Sequence, residues 1–280
     1  MSYVLKGLKI LDFSTLLPGP FATLYLADLG AEVVHIESPT RPDLLRLMPP
    51  FANGQATSQS YLNRNKQSVA LDLKDPVNIE LVKSKIADYD IVIEQFRPGV
   101  MQRLGLDYQT LSEINPKLIY CSITGYGQTG TYKDKAGHDI NYLALSGIAG
   151  HSGRIENGPP ALGIQVADVA GGSMHAVIAI LAAVIERQQS GKGQYIDISM
   201  TDCVVTMSNL AASASLAGNQ HQSPESGYLN GGTFYDYYET QDGRYLSIGS
   251  LEPQFMQGLA QALELPILLE KGASYAAEDH

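Results

Sequence analysis

Thirty residues near the N-terminus constrain the fold of this chain more than any other stretch. Residues 7–13 (GLKILDF) form an apolar run of strand length. Residues 18–29 (PGPFATLYLADL) have helical length and enter through prolines, Gly30 supplies the stop, and residues 31–36 (AEVVHI) are again strand-like. Two strands joined through a helix in so short a span pair in parallel. The alternation then continues. Residues 69–73 read as a strand, and residues 75–87 as a helix opened by Asp75 and Pro76, a cap followed by proline at the first helical position. Strands at 90–94 and 118–123 flank a helical stretch at 99–114. Repeated strand–helix alternation predicts a doubly wound α/β domain over the first 150 residues.

The second half has a different texture. Residues 168–189 predict the longest helix, rich in Ala and Ile and apolar on nearly every face, a pattern that implies burial. Residues 191–193 (GKG) end it, 194–199 form a strand, and 200–217 predict a second apolar helix spanning between domains. A polar loop at 218–232 marks the clearest shift in composition. Beyond it, residues 234–239 and 244–249 around Gln241-Asp242-Gly243 predict an antiparallel hairpin, and 253–263 a helix. The expected organisation is therefore a large domain over 1–199, a linking helix and loop over 200–226, and a small domain over 227–280.

Several function classes are disfavoured at once. A formal net charge of -10 argues against nucleic acid as a partner. Residues 1–140 carry 14 Lys and Arg against 15 acids, and the remainder carries 5 against 14. That distribution would draw a polyanionic small molecule to the first half; a chance imbalance between surfaces gives the same numbers. The longest apolar run, residues 176–185, is short of the roughly 20 residues a membrane helix needs. The N-terminus reads as a strand rather than a leader, so a cytoplasmic protein without a membrane partner is expected. Cys121 and Cys203 lack metal or disulfide spacing and are expected to be buried thiols.

The chemistry concentrates between residues 125 and 168. Gly125-Tyr126-Gly127-Gln128-Thr129-Gly130 fits the dinucleotide pattern G-x-G-x-x-G and follows a strand, but a polar loop follows it where a helix is required. The glycines are better read as a tight turn or a close approach to a ligand. His138 and Asp139 come next, at the start of an apolar helical pattern; a helix cap beside an ordinary loop histidine is the simple alternative. Asp168 stands at another helix start among glycines, and Glu252 at a third, before Pro253. Each carboxylate suits a helix N-terminus. Three at strand-to-helix junctions suggest a shared mouth, because ligands in α/β folds bind beyond the strand ends. For phosphates, the candidates are Arg64 and Lys66 before the third strand and Arg97 in Phe96-Arg97-Pro98-Gly99.

Taken together, these stretches resemble the family III CoA-transferases, and within that superfamily the α-methylacyl-CoA racemases. The resemblance runs from Gly7 to about Phe255. It rests on residues 7–13 with Leu17-Pro18-Gly19-Pro20, residues 29–34 (LGAEVV), 65–74 (NKQSVALDLK), 96–99 (FRPG), 136–142 (AGHDINY), 167–172 (ADVAGG) and 191–194 (GKGQ). The resemblance implies a large Rossmann-like domain, a smaller α/β domain and an interlocked homodimer. It implies no cofactor, coenzyme A being part of an acyl-CoA thioester substrate. It assigns His138 and Asp168 as the acid–base pair, Glu252 as support for the histidine, and Arg97 as a CoA contact. Where racemases carry an arginine after the second strand this chain has Ser38, with Arg41 or Arg46 as substitutes. Family members also continue beyond the small domain, so a truncated product is one expectation.

The activity implied is racemisation of 2-methylacyl-CoA through an enolate, with His138 and Asp168 on opposite faces of the α-carbon and backbone N–H groups near Asp139 receiving the enolate oxygen. A free imidazole titrates at roughly 6.5, and a carboxyl group reaches that range by desolvation. CoA transfer between carboxylic acids, with Asp168 as nucleophile, is the alternative. A non-catalytic acyl-CoA-binding remnant is a third.

Overall fold

The computed structural model describes residues 3–218, 222–272 and 274. The chain divides into two compact units, residues 1–142 with 164–204, and residues 143–163 with 205–280. Residues 143–163 were expected to belong to the large domain. Their hydrogen bonds lead elsewhere: Arg154 forms a fork-like pair with Asp236 (2.6 and 2.7 Å) and also reaches Glu225, and the His151 ring meets Ser208 at 3.0 Å.

In the first unit the strands are β1 (Lys9–Asp12), β2 (Glu32–Glu37), β3 (Gln67–Ala70), β4 (Ile91–Glu94), β5 (Ile119–Thr124) and β6 (Tyr195–Ser199). All five pairings are parallel and the spatial order is β3-β2-β1-β4-β5-β6. Strand order therefore reverses between β1 and β4. The loops leaving those two strands diverge and open a crevice beyond their carboxyl ends. β4 and β5 are buried along their whole length, as continuous apolar runs in a parallel sheet should be.

The helices follow local rules. α1 (Pro18–Asp28) starts on proline, whose missing N–H costs nothing in the first turn. It is followed by α2 (Thr57–Leu62) and α3 (Pro76–Lys85), the latter capped by the Asp75 carboxylate on the Val77 N–H at 2.9 Å. The helix expected over 99–114 is two, α4 (Val100–Leu104) and α5 (Tyr108–Ile114). Gly105 closes the first in a left-handed conformation, and Asp107 caps the second. These helices and the turn between them pack Met101, Leu106 and Leu111 in one cluster with Leu11, Val92 and Tyr120 of the sheet. Each such side chain fully removed from water contributes roughly 1.5–3 kcal/mol. α6 (Asp139–Leu145) begins directly after His138.

The long apolar helix departs most from expectation. It opens as a π-helical segment, Ala167–Met174, and continues as α7 (His175–Ser190). Only one side meets the sheet, through Ala176, Ile180 and Ala183, whereas Ile178 is 65% and Ile185 60% exposed. Ala167–Ser190 is long and apolar enough to cross a membrane by length and composition. Its place as the crossover from β5 to β6, packed on the sheet, accounts for one face of that composition. The next apolar stretch also divides, into α8 (Met200–Met207) and α9 (Asn209–Gly218), at Ser208, whose hydroxyl bonds to His151.

In the second unit, β7 (Asp236–Glu239) and β8 (Tyr245–Ile248) form the expected antiparallel hairpin. α10 (Pro253–Ala262) and α11 (Leu268–Lys271) follow it. Cys121 is buried as expected, while Cys203 is only partly so.

Candidate active site

The crevice at the strand-order reversal is a cavity of about 330 Å³. Its walls are the three loops that leave β1 (Thr15, Leu16, Pro18), β4 (residues 95–98) and β5 (Thr124, Gly125, Tyr126). His138, Asp168 and Arg97 all face it.

Each loop is held by buried polar contacts. After β1, Leu16 takes a left-handed backbone conformation (φ 61°), which an L-residue adopts only when held there. The hold is the Asp43 carboxylate, which accepts the Leu16 N–H at 2.8 Å and the Leu45 N–H at 2.9 Å. After β4, the Gln95 side chain accepts from the Gly19 N–H at 2.9 Å, tying that loop to the start of α1. After β5, Gly125 lies so close to the Tyr142 ring that a Cβ there would sit 2.4 Å from it. Tyr142 in turn donates to the Gly137 carbonyl at 2.6 Å and packs edge-on against Tyr126. The glycines thus make room for the tyrosine that positions the turn before His138.

His138 precedes α6. Its N–H donates to Asn141 Oδ1 at 3.0 Å, while its carbonyl accepts from Asn141 N and Tyr142 N. Asp139, expected as a cap, has another task. Its Oδ1 accepts the backbone N–H of Asp168 at 3.0 Å, linking the two catalytic candidates across 29 residues.

Asp168 sits in the first turn of the π-helical segment, a helical form often found at functional sites. Close packing there needs small residues: a Cβ at Gly171 would lie 2.9 Å from the Met200 carbonyl. The buried Ser173 hydroxyl donates to Pro18 O at 2.6 Å and to Asp168 O at 3.2 Å, joining two walls of the cavity. Burial pushes the Asp168 carboxyl up to about 6, the nearby Asp139 carboxylate adds to the rise, and His138 opposes it.

The other candidates separate. Gly125 and Tyr126 line the cavity, and Gly127 lies outside it beside Ser199. Arg64 pairs with Asp28 and stacks over Tyr61 at 4.5 Å. Lys66, expected to reach a phosphate, is turned inward with its side chain 1% exposed. It donates to Pro20 O at 2.8 Å and lies 3.6 Å from Asp12. A fully buried aspartate requires such a partner. Arg46 is bound to Glu37 by two hydrogen bonds, whereas the exposed Arg41 lies next to Ser38, whose hydroxyl accepts its backbone N–H. Glu252 occupies the N-cap position of α10 in the second unit. Lys133, Lys135, Gln95 and Tyr142 line the cavity without having been singled out. The lysines were legible as a charged loop three to five residues before His138 and Tyr142 as the end of its motif, but nothing marked Gln95.

A family model for CoA-transferase family III matches residues 5–280. The chain belongs to CoA-transferase family III. Among family members it is 39% identical to mouse alpha-methylacyl-CoA racemase over 264 residues, covering 94% of this chain and 65% of that protein. It is 38% identical to human succinyl-CoA:glutarate CoA-transferase, covering 95% of this chain and 60% of that protein. The chain thus spans under two thirds of the length of these two relatives. A crystal structure of a CAIB/BAIF family protein from Brucella suis superposes with a TM-score of 0.82 at 34% identity, over 95% of this chain and 71% of that one.

Proposed function

We propose that the chain forms the catalytic part of an enzyme that inverts the α-carbon of 2-methylacyl-CoA thioesters by 1,1-proton transfer. The observation that carries this reading is that a histidine and an aspartate, His138 and Asp168, face one cavity at the strand-order reversal together with Arg97. One member of the pair removes the α-proton and the C–H electrons move into the thioester carbonyl as an enolate. The other returns a proton to the opposite face, and the roles exchange for the opposite epimer. A carboxyl group raised to about 6 suits this exchange, because it holds a proton more readily than a free aspartate and still ionises at neutral pH. Charge developing on the enolate oxygen would fall to backbone N–H groups of the first turn of α6. The basic side chains of Arg97, Lys133 and Lys135 on the same wall suit a substrate carrying phosphates.

CoA transfer with Asp168 as nucleophile is the second reading, favoured by the similarity to succinyl-CoA:glutarate CoA-transferase. One experiment separates them. The protein is incubated with a single epimer of a 2-methylacyl-CoA in deuterated water. Deuterium at the α-carbon with loss of chirality is expected, and His138→Ala should abolish uptake from at least one epimer. Movement of CoA to an added carboxylic acid without deuterium uptake would instead establish transfer. A folded protein with neither activity would support a non-catalytic acyl-CoA-binding role.

A further inference from the structure

A second carboxylate close to the cavity has no part in the chemistry above. Glu94 is the last residue of β4 and is only 4% exposed. It stands in register with Ser122 of β5, and Ser122 with the exposed Asp197 of β6. Burying a carboxyl group is costly, and an apolar residue at the end of this apolar strand would avoid that cost. What Glu94 provides is an acceptor. Its Oε2 takes the backbone N–H of Phe96 at 2.8 Å, which turns the chain sharply out of the strand. The turn is completed by the Val100 N–H on the Arg97 carbonyl at 3.1 Å, where α4 begins.

Arg97 is carried at the tip of this turn. It lines the cavity that holds His138 and Asp168, and also a neighbouring cavity of about 270 Å³ beside Glu94. The groups facing Glu94 there are Tyr120 from β5, Tyr195 from β6, and Asp107 and Tyr108 at the start of α5. Arg97 lines the same cavity, but no lysine or arginine forms an ion pair with Glu94 among the described residues. Burial and the nearby Asp197 push its carboxyl up to about 7, against the Ser122 and Phe96 hydrogen bonds. In either protonation state an oxygen remains to accept from Phe96.

We infer that Glu94 is a positioning residue that holds the turn of residues 95–99 so that Arg97 faces the substrate cavity. The role rests on the CoA-thioester reading and deepens it, because it concerns the cation assigned to the CoA phosphates. It acts on binding rather than on proton transfer, since Glu94 touches neither His138 nor Asp168.

The test is a set of titrations with coenzyme A, followed by calorimetry, on the wild type, Glu94→Gln, Glu94→Asp, Arg97→Ala and the Glu94→Asp/Arg97→Ala double variant. Deuterium uptake supplies KM and kcat for each. The shorter aspartate withdraws the acceptor and should weaken CoA about tenfold, the scale of one buried N–H left unpaired. It should raise KM in parallel while leaving kcat within about twofold. Glutamine keeps the acceptor and should restore wild-type affinity. The double variant should bind no more weakly than Arg97→Ala alone, because the two act through one contact. Wild-type affinity in Glu94→Asp, or fully additive losses in the double variant, would overturn the inference. A folded wild type that does not bind CoA would instead overturn the reading on which it stands.

Discussion

Two aspartates in the first unit lie near a histidine, and their surroundings drive them in opposite directions. Asp12, at the end of β1, is completely buried, yet its carboxyl is held below the usual range. Burial opposes this, but His35 at 3.4 Å, Lys66 at 3.6 Å, Thr23 at 2.6 Å and the Ser14 backbone and hydroxyl all favour the charged form. Asp168 is only half-buried, yet its carboxyl is raised to about 6. The charged neighbour with the largest influence on it is another carboxylate, Asp139, and no side-chain donor to its carboxylate is found among the described residues. Depth alone therefore does not decide the shift. A buried acid with a complete set of partners becomes a structural anchor, and a shallower one left without donors is available for proton transfer. The anchor serves the site as well, because Asp12 and Lys66 hold Ser14 and Pro20 at either end of the loop that supplies Thr15, Leu16 and Pro18 to the cavity.

The contrast can be broken most sharply by making the same change at both positions. Asp168→Asn should lower the rate of α-deuteration by about 10²–10⁴-fold, the range for loss of a positioned acid–base group. Its folded state should nonetheless be more stable at pH 7. A carboxyl raised in the folded protein releases its proton later than in the unfolded chain. Stability is therefore lost as pH climbs from the unfolded value of about 3.8 towards 6, and a residue that cannot ionise avoids that loss. Denaturant melts at pH 4 and pH 7 check this, and an equal effect at both would refute the assignment.

At the other position, Asp12→Asn leaves Lys66 buried without its counter-charge and should destabilise the fold by about 3–5 kcal/mol. The sign of its pH dependence is opposite. A depressed carboxyl contributes stability above its unfolded value that is lost as pH falls through the folded one. The difference in unfolding free energy between wild type and variant should thus shrink in acid. The smallest effect is expected from Asp139→Asn, which removes a like charge but keeps an oxygen for the Asp168 N–H. The acidic limb of the pH–rate profile, near pH 6 when Asp168 is the base, should move to lower pH while the maximal rate changes by less than about tenfold.

Much of the first unit was legible in the sequence because its elements are decided locally. Prolines open α1 and α3, Gly30 ends α1, and apolar runs mark β4 and β5 as strands. The motif around His138 and the glycines around Asp168 identified the pair that faces the cavity. Other readings failed where the deciding contact lies far along the chain. Lys66 has the appearance of a phosphate ligand until Asp12, 54 residues away, is seen to need a cation. Asp139 has the appearance of a cap until its oxygen is found on the Asp168 N–H, and α7 has the composition of a buried helix while showing one face to the outside of this chain. Glu94 drew no notice because a charged residue ending a strand is commonplace until it proves to be buried.

By itself, then, the sequence determined the parallel α/β framework and the residue types carried at its strand-to-helix junctions, since periodicity, caps and glycines act over a few residues. Only the tertiary structure decided which charges became anchors and which remained free to react. That choice depends on desolvation and on partners supplied from distant strands, and neither is a property of any one segment.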